Sequence, residues 1–166
     1  MKDKFMENYD QGMKYLHTKG AFLTVKSGEK INTMTIGWGS VGYAWNKPIF
    51  TVFVRKSRYT YDLMENSDNF TVSIPLSKNL KSALAICGSK SGRDIDKLKE
   101  CNLSLDESRI VDTPIIAECE LYYECKIVYK QEMNPDLLVK NITQSDYANQ
   151  DYHTIYYGEI VETYIK

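Results

Sequence analysis

Residues 37–48 read Gly37-Trp38-Gly39-Ser40-Val41-Gly42-Tyr43-Ala44-Trp45-Asn46-Lys47-Pro48, and the choice of fold turns on them. The first six match G-x-G-x-x-G and follow a strand-like run. A dinucleotide-binding turn needs a helix to begin there, because the helix N-terminus holds the pyrophosphate. Here Pro48 instead opens the apolar, β-branched run Ile49–Val54, which reads as another strand. No room is left for a crossover helix, so the dinucleotide fold is set aside. The glycines are read as bends where backbone meets a ligand or a neighbouring strand.

Working outward, Ala21–Val25 reads as a strand. The turn Ser27-Gly28-Glu29-Lys30 joins it to a second arm, Ile31–Trp38. On the other side, Ser57 reads as the N-cap of a helix over Arg58–Asn66. Phe70–Ile74 is a strand stopped by Pro75. Ser77 or Asn79 is expected to cap a second helix through Ala83, Leu84 and Ile86, ended by Gly88, and a short helix is expected over Arg93–Glu100. Ile115–Val128 reads as one long strand with a bulge near Tyr122-Tyr123, and His153–Ile165 as the last strand. Strands outnumber helices and no βαβ rhythm recurs. The expectation is one continuous domain over residues 1–166, an antiparallel barrel or sandwich with small helices.

Composition removes several function classes. The 166 residues carry 21 basic and 22 acidic side chains, a net charge of −1, so no basic excess points to nucleic acid. No 18-residue apolar run exists, so no membrane span is expected. The opening Met1–Asn8 lacks an apolar core, so no export signal is expected, and the reading is cytoplasmic. Cys87, Cys101, Cys119 and Cys125 form no C-x-x-C pair, and only His17 and His153 supply imidazole, so zinc is not expected. The cysteines read as buried reduced thiols, with Cys119 and Cys125 on one face of a strand. G-x-x-x-x-G-K-[ST] and G-x-S-x-G are both absent.

Three stretches carry chemistry. In Arg55-Lys56-Ser57-Arg58-Tyr59-Thr60, a strand ends and a helix begins. Free N–H groups, the Ser57 and Thr60 hydroxyls, and the two-donor grips of Arg55 and Arg58 suit a phosphate. A capped surface helix with a solvated basic turn explains the same residues. In Asn32-Thr33-Met34-Thr35-Ile36-Gly37-Trp38, Thr33 and Thr35 share one strand face and Met34 and Ile36 the other. Such a strand can line the edge of a flat heterocycle beside Trp38, or simply be a barrel strand with a polar outer face. The third stretch, Gly88–Lys97, holds Lys90, Ser91, Gly92, Arg93 and Lys97. It reads as a second anion contact, a ligand cover or an ordinary interhelical loop.

Taken together, residues 32–39, Trp45–Pro48, Val54–Thr60, Phe70–Pro75 and Cys87–Lys97 resemble the flavin reductase-like family, in the order and spacing of its flavoredoxin-like branch. The closing His153–Ile160 resembles the family's last strand more weakly. The resemblance implies a six-stranded split β-barrel and a homodimer with FMN near the subunit interface. It implies that Asn32, Thr33, Met34 and Thr35 border the isoalloxazine ring, with Trp38 near it. It implies phosphate contacts from Arg55, Ser57, Arg58 and Thr60, and a loop, Lys90–Lys97, that closes over FMN. The family pattern places Asp directly before the closing-strand His, whereas Tyr152 here separates Asp151 from His153. Two function classes stay open. One is an NAD(P)H-dependent oxidoreductase passing hydride to flavin N5; the other is an electron carrier serving a redox protein partner. In both, the cofactor carries the chemistry, so no protein acid–base dyad is expected.

Overall fold

The computed structural model describes residues 4–166; the first three residues of the leader-free N-terminal reading lie outside the described residues. Among the described residues, nine strands and five α-helices follow in chain order. They are α1 (Tyr9–Lys19), β1 (Ala21–Ser27), β2 (Lys30–Ile36), β3 (Gly39–Ala44), β4 (Lys47–Arg55), α2 (Tyr59–Met64) and β5 (Asn69–Ile74). Then come α3 (Lys81–Ser89), α4 (Lys97–Glu100), β6 (Leu105–Asp106), β7 (Ile115–Ile116), β8 (Leu121–Glu132), α5 (Lys140–Ser145) and β9 (His153–Ile165).

Seven strands form one antiparallel sheet in the order β2-β1-β5-β8-β9-β4-β3, and β6 pairs with β7 apart from it. The mainly β class with few helices holds. The six-strand count does not, because the glycine-rich stretch extends as β3 and pairs with β4 from Gly39↔Val52 to Ala44↔Lys47. Gly39 permits this at its close approach, since a Cβ there would meet the Thr51 carbonyl at 2.8 Å. Trp45 and Asn46, both at positive φ, make the two-residue turn. Among the described residues, the end strands β2 and β3 do not pair, so the sheet is open rather than a closed barrel.

The core explains why the strands form where they do. Phe22, Leu23, Val25, Phe50, Val52, Val54, Phe70, Val72 and Ile74 are fully buried, matching the β-branched and aromatic runs of β1, β4 and β5. Tyr122, Tyr123 and Tyr156 join them from β8 and β9.

Four local expectations need correction. The helix after β4 is six residues long and starts at Tyr59; Arg58 is its N-cap, and the Ser57 hydroxyl donates to Asp151 instead of capping. Leu80 occupies the N-cap position of α3 without a side-chain bond, Asn79 Oδ1 accepts from the Lys81 N–H at 3.4 Å, the Ser77 hydroxyl and N–H are held by the Glu120 carboxylate, and the helix runs one residue past Gly88. The helix over 93–100 shrinks to α4, because Asp96 caps it by accepting from the Lys99 N–H. Residues 117–120 break the long strand into β7 and β8, which removes Cys119 from any strand face shared with Cys125. The first irregularity in β8 falls at Glu124/Cys125, next to Tyr122-Tyr123 as expected, and a second falls at Ile127/Tyr129.

Candidate active site

Strand β2 lies at one end of the sheet and β4 next to the other end, and curling brings them to face one another across a cavity. That cavity, about 180 Å³, is lined by Met34, Thr35, Ile36, Gly37, Trp38, Phe53, Arg55, Arg58 and His153. A second cavity, about 130 Å³, is lined by Met34, Ser57, Arg58, Tyr59, Thr60, Cys87, Lys97 and Ser89–Arg93. Met34 and Arg58 line both. Arg58 Nη1 donates to the Gly88 carbonyl at 2.9 Å, which ties the start of α2 to the end of α3.

As an edge strand, β2 has one row of backbone groups unpaired by any strand. The Thr33 carbonyl points to that edge, where Lys97 Nζ donates to it at 3.0 Å. Alternation then turns the Thr35 N–H and C=O the same way. The Thr35 hydroxyl is already committed, donating to the Leu84 carbonyl at 2.6 Å. What Thr35 offers a flat heterocycle is therefore backbone, not side chain. The Thr33 hydroxyl is buried between strands against Thr24 and the Leu23 carbonyl. Asn32 Nδ2 donates to Thr60 Oγ1 at 2.8 Å, so two expected ligand residues hold each other.

The cations separate into different roles. Arg55 donates to the Asp151 and Asp146 carbonyls and lies over the Tyr147 ring at 5.2 Å. It anchors the 146–151 loop. Ser57 is held by the Asp151 carboxylate through its hydroxyl at 2.6 Å and its N–H at 3.3 Å. Asp151 thus fills the anion position expected at this turn. Arg93 pairs with Asp62 at 2.5 Å, donates to the Ser57 carbonyl and lies over Tyr59. Lys97 is buried, with Nζ also donating to the Cys87 carbonyl at 3.0 Å, and burial lowers its pKa below the usual lysine value. It is a strut inside the wall rather than a member of a solvated loop. Gly92 packs so closely on Asn32 and Tyr59 that no Cβ fits. Lys90 and Ser91 line the second cavity.

Sequence reasoning left three contributors unassigned. Phe53 and His153 form the far wall of the first cavity, with His153 packed 5.2 Å from Trp38 and 6.0 Å from Phe53. Tyr147 is buried, and its hydroxyl meets His153 Nδ1 at 2.7 Å. Burial and the nearby Arg55 push the His153 pKa down to about 4, so the ring is neutral at pH 7. Its Nε2 takes no partner among the described residues and stays open to the cavity. The offset Asp151/His153 spacing was a signal for this corner; a lone tyrosine in a polar segment gave none for Tyr147.

The residues present fit a phosphate-bearing planar cofactor: an aromatic wall and a free strand edge adjoin a pocket of cations and hydroxyls. The family model for the flavin reductase like domain matches residues 13–166. The chain belongs to this family. An uncharacterized protein of Archaeoglobus fulgidus is 30% identical over 149 residues, covering 90% of this chain and 73% of that one. The flavoredoxin of Methanosarcina acetivorans is similar in structure, with a TM-score of 0.69 and 27% identity over 89% of this chain and 68% of that chain. The flavoredoxin of Desulfovibrio vulgaris (Miyazaki F) shares the fold, with a TM-score of 0.68 and 22% identity over 90% and 70% of the two chains. The flavin reductase-like chain therefore falls in the flavoredoxin branch, and a flavin-binding function is supported. Among the described residues, no group of His, Cys, Asp and Glu could hold a metal, and no helix is long and apolar enough to cross a membrane.

Proposed function

We propose that the protein is an FMN-dependent oxidoreductase that takes hydride from NAD(P)H. The observation that carries the reading is the position of Arg58, lining both the cavity beside Trp38 and the cavity beside Ser89–Arg93. An isoalloxazine ring along the β2 edge and a phosphate against Arg58, Lys90 and Ser91 would use both. Because Asp151 holds Ser57 and the 146–151 carbonyls hold Arg55, these two residues shape the wall while Arg58 grips the anion. Asn32 and Thr60 brace the wall between them. Thr35 presents its backbone to the ring edge, and neutral His153 presents Nε2 across the cavity. Bound FMN would supply hydride acceptance at N5; the protein supplies position and electrostatics.

A second reading, an electron carrier for a redox protein partner, is favoured by the flavoredoxin likeness at 27% identity. An absorption spectrum of the purified protein, followed by anaerobic NADH and NADPH additions, separates the two. Bands near about 375 and about 450 nm that bleach on addition support the reductase. Bands that persist until a reduced partner protein is added support the carrier. A protein that neither carries nor takes up flavin overturns both.

A further inference from the structure

Cys87 ends the buried side of α3, and Cys101 caps the C-terminus of α4. Their sulfurs lie 3.9 Å apart, in contact, although they are 14 positions apart in sequence. No other pair of the four free cysteines is in such contact among the described residues. Cys87 is fully buried and lines the second cavity, while Cys101 is partly exposed. The segment between them carries Lys90, Ser91, Gly92, Arg93 and Lys97, the whole loop that walls the candidate phosphate pocket.

We infer that Cys87 and Cys101 form a peroxide-sensitive dithiol site, which closes to a disulfide and locks the 88–100 loop against the cavity. A disulfide needs the sulfurs about 2 Å closer than the 3.9 Å at which they stand. The chemistry balances in two steps. The accessible Cys101 thiolate attacks hydrogen peroxide; the O–O bond breaks, Cys101 becomes the sulfenic acid, and hydroxide leaves to be protonated to water. The Cys87 sulfur then attacks the Cys101 sulfur, the S–O bond breaks, and the Cys87 proton and the departing hydroxide leave as a second water. Two thiols are oxidised by two electrons and one peroxide is reduced. Burial, and then the neighbouring Cys101, push the Cys87 thiol up to about 12, while Lys97 opposes them. The exposure of Cys101, against the burial of Cys87, makes Cys101 the first to meet peroxide and Cys87 the resolving thiol. The site is independent of whether NAD(P)H or a protein supplies electrons to the flavin.

The test is peroxide treatment of the folded protein, then thiol counting in denaturant and a non-reducing peptide map. Two of the four thiols should disappear, with a Cys87–Cys101 cross-linked peptide about 2 Da lighter than the sum of its parts. Dithiothreitol should restore all four. In Cys101→Ser, which changes a partly exposed side chain, no cross-link should form. The oxidised wild type should also resist trypsin at Lys90 and Arg93 at least several-fold longer than the oxidised Cys101→Ser variant. Four surviving thiols, a cross-link involving Cys119 or Cys125, or Cys101 driven to sulfinic acid with Cys87 still free would each overturn the inference.

Discussion

Arg58 spends one donor on the Gly88 carbonyl and keeps the rest of its fork for the cavities on either side. A charged hydrogen bond to phosphate is worth about 1.5–3 kcal/mol, so Arg58→Ala should weaken FMN binding about 10- to 150-fold. Quenching of FMN fluorescence on titration measures this directly; unchanged affinity would remove the phosphate from this corner. His153 gives a second residue-level expectation. Its folded pKa is about 4 against 6.5 for the free side chain, so the unfolded chain takes up the proton first. Above pH 6.5 the group costs nothing; as pH falls from 6.5 toward 4, up to about 3 kcal/mol of stability is lost. Urea midpoints at pH 7 and pH 4.5 should therefore separate more for the wild type than for His153→Gln, and equal separations would contradict a buried neutral ring. The placement of Arg58 at the start of α2, where a strand ends, was legible from residue type and spacing; the packing of Gly92 on Asn32 and Tyr59 was not. Nor were the roles of Asp151 and Tyr147, because they depend on a polar loop folding back onto Ser57 and His153.

Among the elements, β1, β2, β4, β5 and β9 were readable because each carries a β-branched or aromatic run that ends up buried. Strand β3 was hidden by its glycines, which spoke for bends although they were needed for close strand contact. Helix α1 was hidden for the opposite reason. It buries only Gly12, Tyr15 and Leu16, a face too narrow to show as a pattern. The β7–β8 break was invisible because Ala117, Cys119 and Leu121 alternate with Glu118 and Glu120, a strand-like pattern that runs straight through the turn at 117–120. Gly158 gives the element-level test. It sits in β9 under Phe70 and Cys125, where a Cβ would meet Phe70 Cζ at 2.5 Å and Cys125 Cβ at 2.7 Å. Both neighbours are fully buried, so they have little room to give. Gly158→Ala should cost about 1–3 kcal/mol, lowering Tm by several degrees in a thermal melt. An unchanged Tm would mean that β8 and β9 separate more easily than their pairing suggests.

At the scale of the whole molecule, an open sheet leaves its candidate site between the edge strand β2 and the penultimate strand β4, and leaves aromatic surface uncovered elsewhere. Trp45, 58% exposed, stands with Tyr129 and Tyr157 in a three-ring cluster with centroid spacings of 5.4–6.0 Å. Trp45 also sits at a φ of 52°, a conformation that bulky residues rarely adopt and that Asn or Gly would occupy without strain. A large exposed side chain held at such a turn is better explained by a contact it makes than by the turn itself. Aromatic residues are enriched at interfaces for their large contact area. We propose that this patch is where two copies of the chain would meet in the homodimer that the family resemblance implies. Sedimentation or light scattering should then give about twice the 19.2 kDa chain mass, and Trp45→Ser combined with Tyr129→Ser should shift the mass toward the single chain. The double variant replaces two exposed rings, so its far-ultraviolet circular dichroism should match the wild type. A wild type that runs as a single chain at tens of micromolar would leave the cavity to be completed by one subunit alone. A dimer untouched by the double substitution would move the interface to another face of the sheet.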